Sequence, residues 1–162
     1  MMDKIDVQIL DILQKDGRIQ RNRIAKQVGL TIPAVSERMR KLEKKGIIAG
    51  YHAKINNTAI GKGVTAFVFV ITSPSKTYDE FIKNARAQNE IIECHSITGE
   101  GSYLLKIQTE NTTTLEKLLS EILSWQGVLQ TRTYIVLSSY KEFSSVKPAA
   151  SLIKKSNPAK KK

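Results

Sequence analysis

The sequence is short of the residues that build disulfides, metal sites and membrane spans. It holds one cysteine, Cys94, so no internal disulfide can form, and a lone thiol fits a reducing compartment. Neither of its two histidines, His52 and His95, has a partner at metal-ligand spacing, so no metal and no cofactor is expected. No apolar run approaches the roughly 20 residues a membrane helix needs. The start, Met1 to Lys15, mixes acids into its apolar residues and does not read as a signal peptide. The expectation is a soluble, cytoplasmic protein with no membrane partner. Acids are also scarce: 15 Asp/Glu face 26 Lys/Arg, a formal net charge of +11.

That excess is unevenly placed. Residues 1–50 carry eleven Lys/Arg against six Asp/Glu, residues 51–141 nine against eight, and residues 142–162 six against one. A near-neutral body with two basic ends suggests a polyanion, and nucleic acid is the first candidate; a solvated face or a membrane-surface patch would look the same from charge alone. About two fifths of the 162 residues are apolar, enough for a packed core.

Three helices come first. Ile5, Ile9, Ile12 and Leu13 share one helical face, with Asp3 as cap and Gly17 as stop. A second helix spans about Arg21–Val28, with Ile24, Ala25 and Val28 inward. A third spans about Ile32–Lys45, capped by Thr31, with Pro33 in its first turn and Val35, Met39 and Leu42 inward. A strand over Ile48–Ile55 and a polar connector follow. The remainder reads strand, helix, strand, strand, helix, strand: Val64–Thr72, Tyr78–Gln88, Ile91–Thr98, Ser102–Thr109, Thr113–Trp125 and Val128–Ser138. That order is the ferredoxin-like βαββαβ motif, so the fold class is α+β. The expected division is a helix-turn-helix domain over 1–50, a strand and connector over 51–63, a ferredoxin-like domain over 64–141, and a basic, disordered tail over 142–162.

The first strand of the second domain is apolar on both faces. Phe67, Phe69 and Ile71 point one way, and Val64, Ala66, Val68 and Val70 the other. Helices on one side leave the other face to be covered, most simply by a second copy of the sheet, which predicts a homodimer. A parallel strand buried within one chain is the alternative.

The segment Arg21 to Lys45 has the grammar of a helix-turn-helix. Ala25 is small where two helices approach, Gly29 stands four residues on where the turn needs positive φ, and Val35 anchors the next helix. On the third helix Pro33, Ala34, Glu37, Arg40, Lys41 and Lys44 lie opposite the buried side, with Ser36 and Arg38 on the flanks and Thr31 at the N-terminus. Short side chains and Arg40 can reach base edges in a major groove, while Lys41 and Lys44 suit phosphates. Glu37 can accept from cytosine or pair with Lys41 one turn on; the pairing is favoured. Arg21, Arg23 and Lys26 supply further backbone contacts. An ordinary helical hairpin with a solvated basic face is the bland alternative.

The N-terminal part carries Asp3-x-x-Asp6-x-x-Ile9-Leu10, Leu13-x-x-Asp16-Gly17-Arg18, Val28-Gly29-Leu30, Glu37-Arg38-Met39-Arg40-Lys41-Leu42-Glu43 and Gly46-Ile47-Ile48-Ala49-Gly50-Tyr51. Further along stand Glu93-Cys94-His95, Gly99-Glu100-Gly101-Ser102-Tyr103-Leu104-Leu105-Lys106 and Thr131-Arg132-Thr133-Tyr134-Ile135-Val136. In these motifs the chain resembles the Lrp/AsnC (leucine-responsive / asparagine-synthase regulator) family of bacterial and archaeal transcription factors. The resemblance implies a winged helix-turn-helix that binds double-stranded DNA, a ferredoxin-like regulatory domain, and sheet-paired dimers often gathered into octamers. It also implies an amino-acid effector between regulatory domains, lined by Thr98, Gly99, Glu100, Gly101, Ser102 and Tyr103 with Tyr134, Ile135 and Val136 nearby. Many members carry an acidic residue where this chain has Ser102. From the residues themselves, the two glycines either open the backbone to a ligand or serve a tight hairpin.

Two other functions compete. An architectural, nucleoid-associated protein of similar build would wrap DNA with weak specificity. An enzyme is the third class, because some haem-pathway decarboxylases share this architecture. It would need acid/base residues around a tetrapyrrole-sized pocket, and two histidines with no evident catalytic pairing argue against it.

Overall fold

A computed structural model describes residues 1–73, 78–99, 101–142 and 145–154. The chain forms two compact units: Met1–Lys54 with the described residues from Lys141 onward, and Ile55–Tyr140.

In the first unit α1 spans Lys4–Lys15, α2 Arg21–Val28 and α3 Ile32–Lys44. Each start and turn has a local cause. Asp3 and Asp6 form a capping box, each carboxylate accepting the other's backbone N–H at 2.9 and 3.0 Å, which satisfies two amides that the helix start leaves orphaned. Thr31 Oγ1 accepts from the Ala34 amide at the start of α3. Gly29 sits in the left-handed region at φ +67°, turning α2 into α3. Ile9, Ile24 and Val35 are fully buried and pack with Met2, Ala25, Met39 and Leu42. Burying side chains of this size contributes about 1.5–3 kcal/mol each.

Two expectations fail in this unit. No strand forms over 48–55; a ladder needs a hydrogen-bonding neighbour, and among the described residues no extended segment pairs there. The tail expected to be disordered is instead structured over 145–154. Gln14 clamps Val146 by both backbone groups, its Oε1 accepting from the Val146 N–H at 2.7 Å and its Nε2 donating to the Val146 carbonyl at 3.2 Å. A 3-10 turn at Ala150–Leu152 then leads into a parallel bridge between Met2 and Ile153. In that bridge the Met2 N–H donates to the Leu152 carbonyl at 2.9 Å and the Lys154 N–H to the Met2 carbonyl at 2.8 Å.

In the second unit β1 spans Val64–Thr72, α4 Tyr78–Ala87, β2 Ile91–Ser96, β3 Tyr103–Thr109, α5 Thr112–Ser124 and β4 Val128–Ile135. The sheet runs β2-β3-β1-β4 with antiparallel neighbours, the ferredoxin-like arrangement. Alternation decides the faces. Ala66, Val68, Val70, Tyr103, Leu105 and Ile107 are buried with Phe81, Ala85, Leu115, Leu118, Ile122 and Trp125 from the helix layer. Phe67, Phe69 and Ile71 occupy the opposite face and are half-buried. The connector before β1 is pinned by Gln108, whose Oε1 accepts from Asn57 and Thr65 and whose Nε2 donates to the Lys62 carbonyl. A buried amide with all these bonds made stiffens the approach to the sheet.

Candidate nucleic-acid interface and effector loop

The buried stripe of α3 is Val35, Met39 and Leu42, as its spacing predicts. Opposite it, Thr31, Pro33, Arg40, Lys41 and Lys44 are exposed, and Ala34, Ser36 and Glu37 are half-buried. Arg21, Arg23 and Lys26 are exposed on α2. Glu37 takes two bonds from Arg40, Nε to Oε2 and Nη2 to Oε1, both at 2.9 Å. The pairing expected with Lys41 is also present, at 3.5 Å, but is the longer contact. The Arg40 hydrogen bond, with its charge and that of Lys41, holds the Glu37 carboxyl below the usual carboxylate range. Arg40 therefore stands on the outer face, 66% exposed, with its guanidinium oriented by a neighbour one turn back.

Arg38 behaves differently. Its Nη1 donates at 2.7 Å to Asp3 Oδ2 and at 2.7 Å to Asp6 Oδ1, and its side chain is only 28% exposed. It ties α3 to the capping box of α1. Burial pushes the Asp3 carboxyl up, but the Asp6 amide and Arg38 outweigh it and leave the pKa lowered. Arg38 was expected on the DNA-facing flank; two acids of its own domain hold it instead. A further contact off the expected face is Tyr51, whose hydroxyl donates to Glu43 Oε1 at 2.8 Å. Burial and that carboxylate push the phenol up to about 12. The Arg38 link joins residues distant in sequence and the Tyr51 link reaches back past the end of α3, and neither follows a helix or strand period.

In the second unit the loop between β2 and β3 is built around β1. Gly99 takes φ +108°, a conformation that favours glycine, while Gly101 does not. A Cβ at Gly101 would meet Ile97 Cδ1 at 3.5 Å and Phe69 Cδ1 at 3.6 Å, so a methyl fits and larger groups press on both. Ser102 fastens the loop: its N–H donates to the Val70 carbonyl, its carbonyl accepts from Ile97, and its Oγ accepts from the Thr72 amide at 3.2 Å. That amide lies where β1 and β4 slip register between Ile71 and Thr72, so the hydroxyl serves a backbone group displaced by the bulge. Thr98 is exposed, and Glu100 lies outside the described residues.

Tyr103, expected to line the effector site, does not. It pairs with Val70 in β1, points to the helix layer at 1% exposure, and stacks on Phe81 with ring centroids 4.2 Å apart. Alternation from Leu105 and Ile107 requires this. Tyr134 and Ile135 are exposed on β4, and the half-buried Val136 donates its N–H to the Thr65 carbonyl. Phe69, read from sequence as part of the open sheet face, brings the two parts together. It meets Tyr134 edge-on at 5.7 Å and lies beside Gly101.

Residues 65–146 match the Lrp/AsnC ligand binding domain, and residues 2–49 match a winged helix-turn-helix DNA-binding domain. The chain belongs to the Lrp/AsnC family of transcription regulators. The leucine-responsive regulatory protein of Klebsiella pneumoniae is 37% identical over 144 residues, covering 87% of this chain and 88% of that one. A Neisseria meningitidis transcriptional regulator, solved in complex with L-methionine, is 29% identical at a TM-score of 0.86, covering 90% of this chain and 96% of its own. A Mycobacterium tuberculosis feast or famine regulatory protein, complexed with L-methionine, is 32% identical at a TM-score of 0.83, covering 89% and 97%. With this family's two domains in order, the chain is a DNA-binding transcription regulator of the Lrp/AsnC type. Among the described residues no helix is long and apolar enough to cross a membrane, and no group of three His, Cys, Asp or Glu could hold a metal ion.

Proposed function

We propose that this regulator reads duplex DNA with α3 in the major groove and responds to an amino acid bound at the Gly99–Ser102 loop. The observation that carries the first part is the outer face of α3. Arg40 is presented there on Glu37, in a helix-turn-helix whose turn is set by Gly29, with Lys41 and Lys44 toward the helix end for phosphates. Thr31, Pro33, Ala34 and Ser36 allow close approach to the groove floor, and Arg21, Arg23 and Lys26 act on the backbone. Arg38 acts indirectly, by holding α3 on α1.

The effector reading rests on the loop geometry and on the two similar regulators solved with L-methionine. Thr98, Gly99, Glu100 and Gly101 supply backbone and acid groups for an amino acid, and Phe69 and Tyr134 an apolar wall for its side chain; Ile135 pairs with Ala66 and so belongs to the opposite face of the sheet. Ser102 contributes by fixing the loop rather than by charge. The half-buried Phe67, Phe69 and Ile71 face supports sheet-to-sheet dimers, and octamers built from them. The protein then works in the cytoplasm, on DNA, without a catalytic step.

Selection of genomic duplexes at stated salt, with and without a panel of amino acids, tests this. Enrichment of a palindromic or repeated site that shifts with one amino acid is the expected result. Uniform recovery of all sequences would instead favour DNA wrapping of the architectural kind, for which the net charge of +11 is the supporting observation.

A further inference from the structure

The match to the ligand binding domain ends at residue 146, and the winged helix-turn-helix match at residue 49. Residues 147–154 lie outside both, yet they belong to the N-terminal unit and the segment is fastened to it at two places. The first is the C-terminal end of α1, where Gln14 bonds both backbone groups of Val146. The second is the residue before the α1 cap, where Met2 donates to the Leu152 carbonyl and accepts from the Lys154 N–H. The segment thus runs from one end of α1 to the other, and the lengths agree. At helical rise Met2 and Gln14 are about 18 Å apart. Extended chain from Val146 to Ala150, followed by the 3-10 turn to Ile153, spans about 20 Å. Pro148 and Leu152 line one groove with Leu10 and Leu13 of α1. What the segment holds is linked in turn to the recognition helix. Met2 is buried in the same cluster as Met39 and Leu42 of α3, and it lines a cleft of about 310 Å³ with Glu37, the carboxylate that orients Arg40. The next residue, Asp3, is one of the two acids that hold Arg38 of α3. Fixing the Met2 backbone therefore fixes the start of α1 against α3 through one apolar and one ionic link. Seven buried apolar residues are a small core, so the seating of α1 on α3 has few other determinants.

We propose that residues 146–154 act as a splint along α1 that sets the position of the recognition helix, which makes Gln14 and the Met2 backbone positioning elements for base reading. The inference rests on the DNA-binding reading of α3 and assigns the segment no contact with DNA. Base reading is sensitive to such a support. A guanidinium discriminates bases only when its fork meets the base edge squarely, whereas flexible lysines on phosphates tolerate a small shift. Loosening the splint therefore costs specific binding and spares nonspecific binding. Val146 and Leu152 are exposed, and Pro148 and Ile153 half-buried, so backbone bonds carry the fastening and breaking them opens no cavity in the core.

The test uses the full chain in four forms: wild type, Val146→Ala, Lys154→Gln and Gln14→Ala/Lys154→Pro. Val146→Ala keeps both backbone groups that Gln14 bonds. The double variant removes the Gln14 amide at one anchor and the Lys154 N–H at the other, and Lys154→Gln controls for the lost charge. Each is titrated over a range of salt, well below its melting midpoint, against the selected site and against random duplex of the same length. Compared with Lys154→Gln, the double variant is expected to bind the selected site about tenfold more weakly and random duplex within about twofold, at the same salt slope, since no phosphate contact is lost. Val146→Ala should match wild type on both duplexes. A double variant that keeps the control's ratio of selected to random binding overturns the splint even if its midpoint falls, because mere support of the fold lowers the midpoint and leaves that ratio alone. Equal weakening on both duplexes overturns it too, as does a Val146→Ala protein impaired as much as the double variant. Wild type with no preference for any selected duplex sinks the base reading by α3 itself, which separates that failure from the failure of the splint.

Discussion

Among the described residues the α+β unit buries twelve apolar side chains in one cluster, whereas the N-terminal unit buries seven. Both units carry capping boxes and ion pairs, among them Lys106–Glu93 and Lys62–Glu110 in the α+β unit, but in the smaller unit one such contact, Arg38 to two acids, joins two of its three helices, and backbone bonds add the segment at 145–154. The α+β unit therefore depends mainly on apolar area, which neither salt nor pH changes much. The N-terminal unit adds a charge-assisted link between helices, which both conditions weaken. The difference matches the work of each part. A unit that meets a polyanion must keep its surface cationic and can spare few positions for a large core. A unit that matches a ligand binding domain needs a rigid sheet.

The largest effect should come from the apolar side. Phe81 is stacked on Tyr103 and meets Trp125 edge-on, so Phe81→Ala is expected to destabilise the α+β unit by about 3–5 kcal/mol. Trp125 is the only tryptophan, so its fluorescence reports this unit, and the drop in its midpoint is the readout. An unchanged midpoint would mean that the cluster does not act as one core. Next comes Arg40→Ala, expected to cost about 1–3 kcal/mol on the selected site, with melting and oligomer size unchanged. Equal binding across a salt titration would remove α3 as the reader. Smaller again is Gly101→Val. Its added methyls press on Phe69 and Ile97, and effector affinity should fall about tenfold, or 1.4 kcal/mol, without a change in melting. Wild-type ligand binding and assembly would free that loop from its assigned role.

Where local pattern decides the outcome, the sequence was legible. β1 has the bounds its alternation predicts, α3 buries the three residues its period selects, and Gly29 adopts the positive φ its place in the turn demands. What was missed depends on contacts between distant residues. Arg38 looks like a free flank cation until α1 brings Asp3 and Asp6 within 2.7 Å. Tyr103 is the exception: alternation from Leu105 and Ile107 already points it to the core, and the register with Val70 bears this out. The segment at 145–154 has no period because backbone bonds and one glutamine hold it rather than an apolar face. The strand expected over 48–55 has the composition but no pairing partner among the described residues.

The weakest expected effect sharpens the contrast most. Arg38→Ala removes two bonds from a partly exposed group, so solvent screening limits the loss to about 1 kcal/mol, confined to the N-terminal unit. Far-UV circular dichroism of the helices should show it, while the Trp125 midpoint stays in place. Its pH dependence follows from Asp3, whose pKa is lowered in the folded state. A depressed carboxylate contributes stability that is fully present above its unfolded value, near 3.9, and that is lost as pH falls through the folded value. The gap between wild type and Arg38→Ala should therefore be constant from neutral pH down to about 5 and close progressively below about 4. A gap that persists at pH 2 would mean that Arg38 acts through packing of its stem on α1 rather than through the two carboxylates.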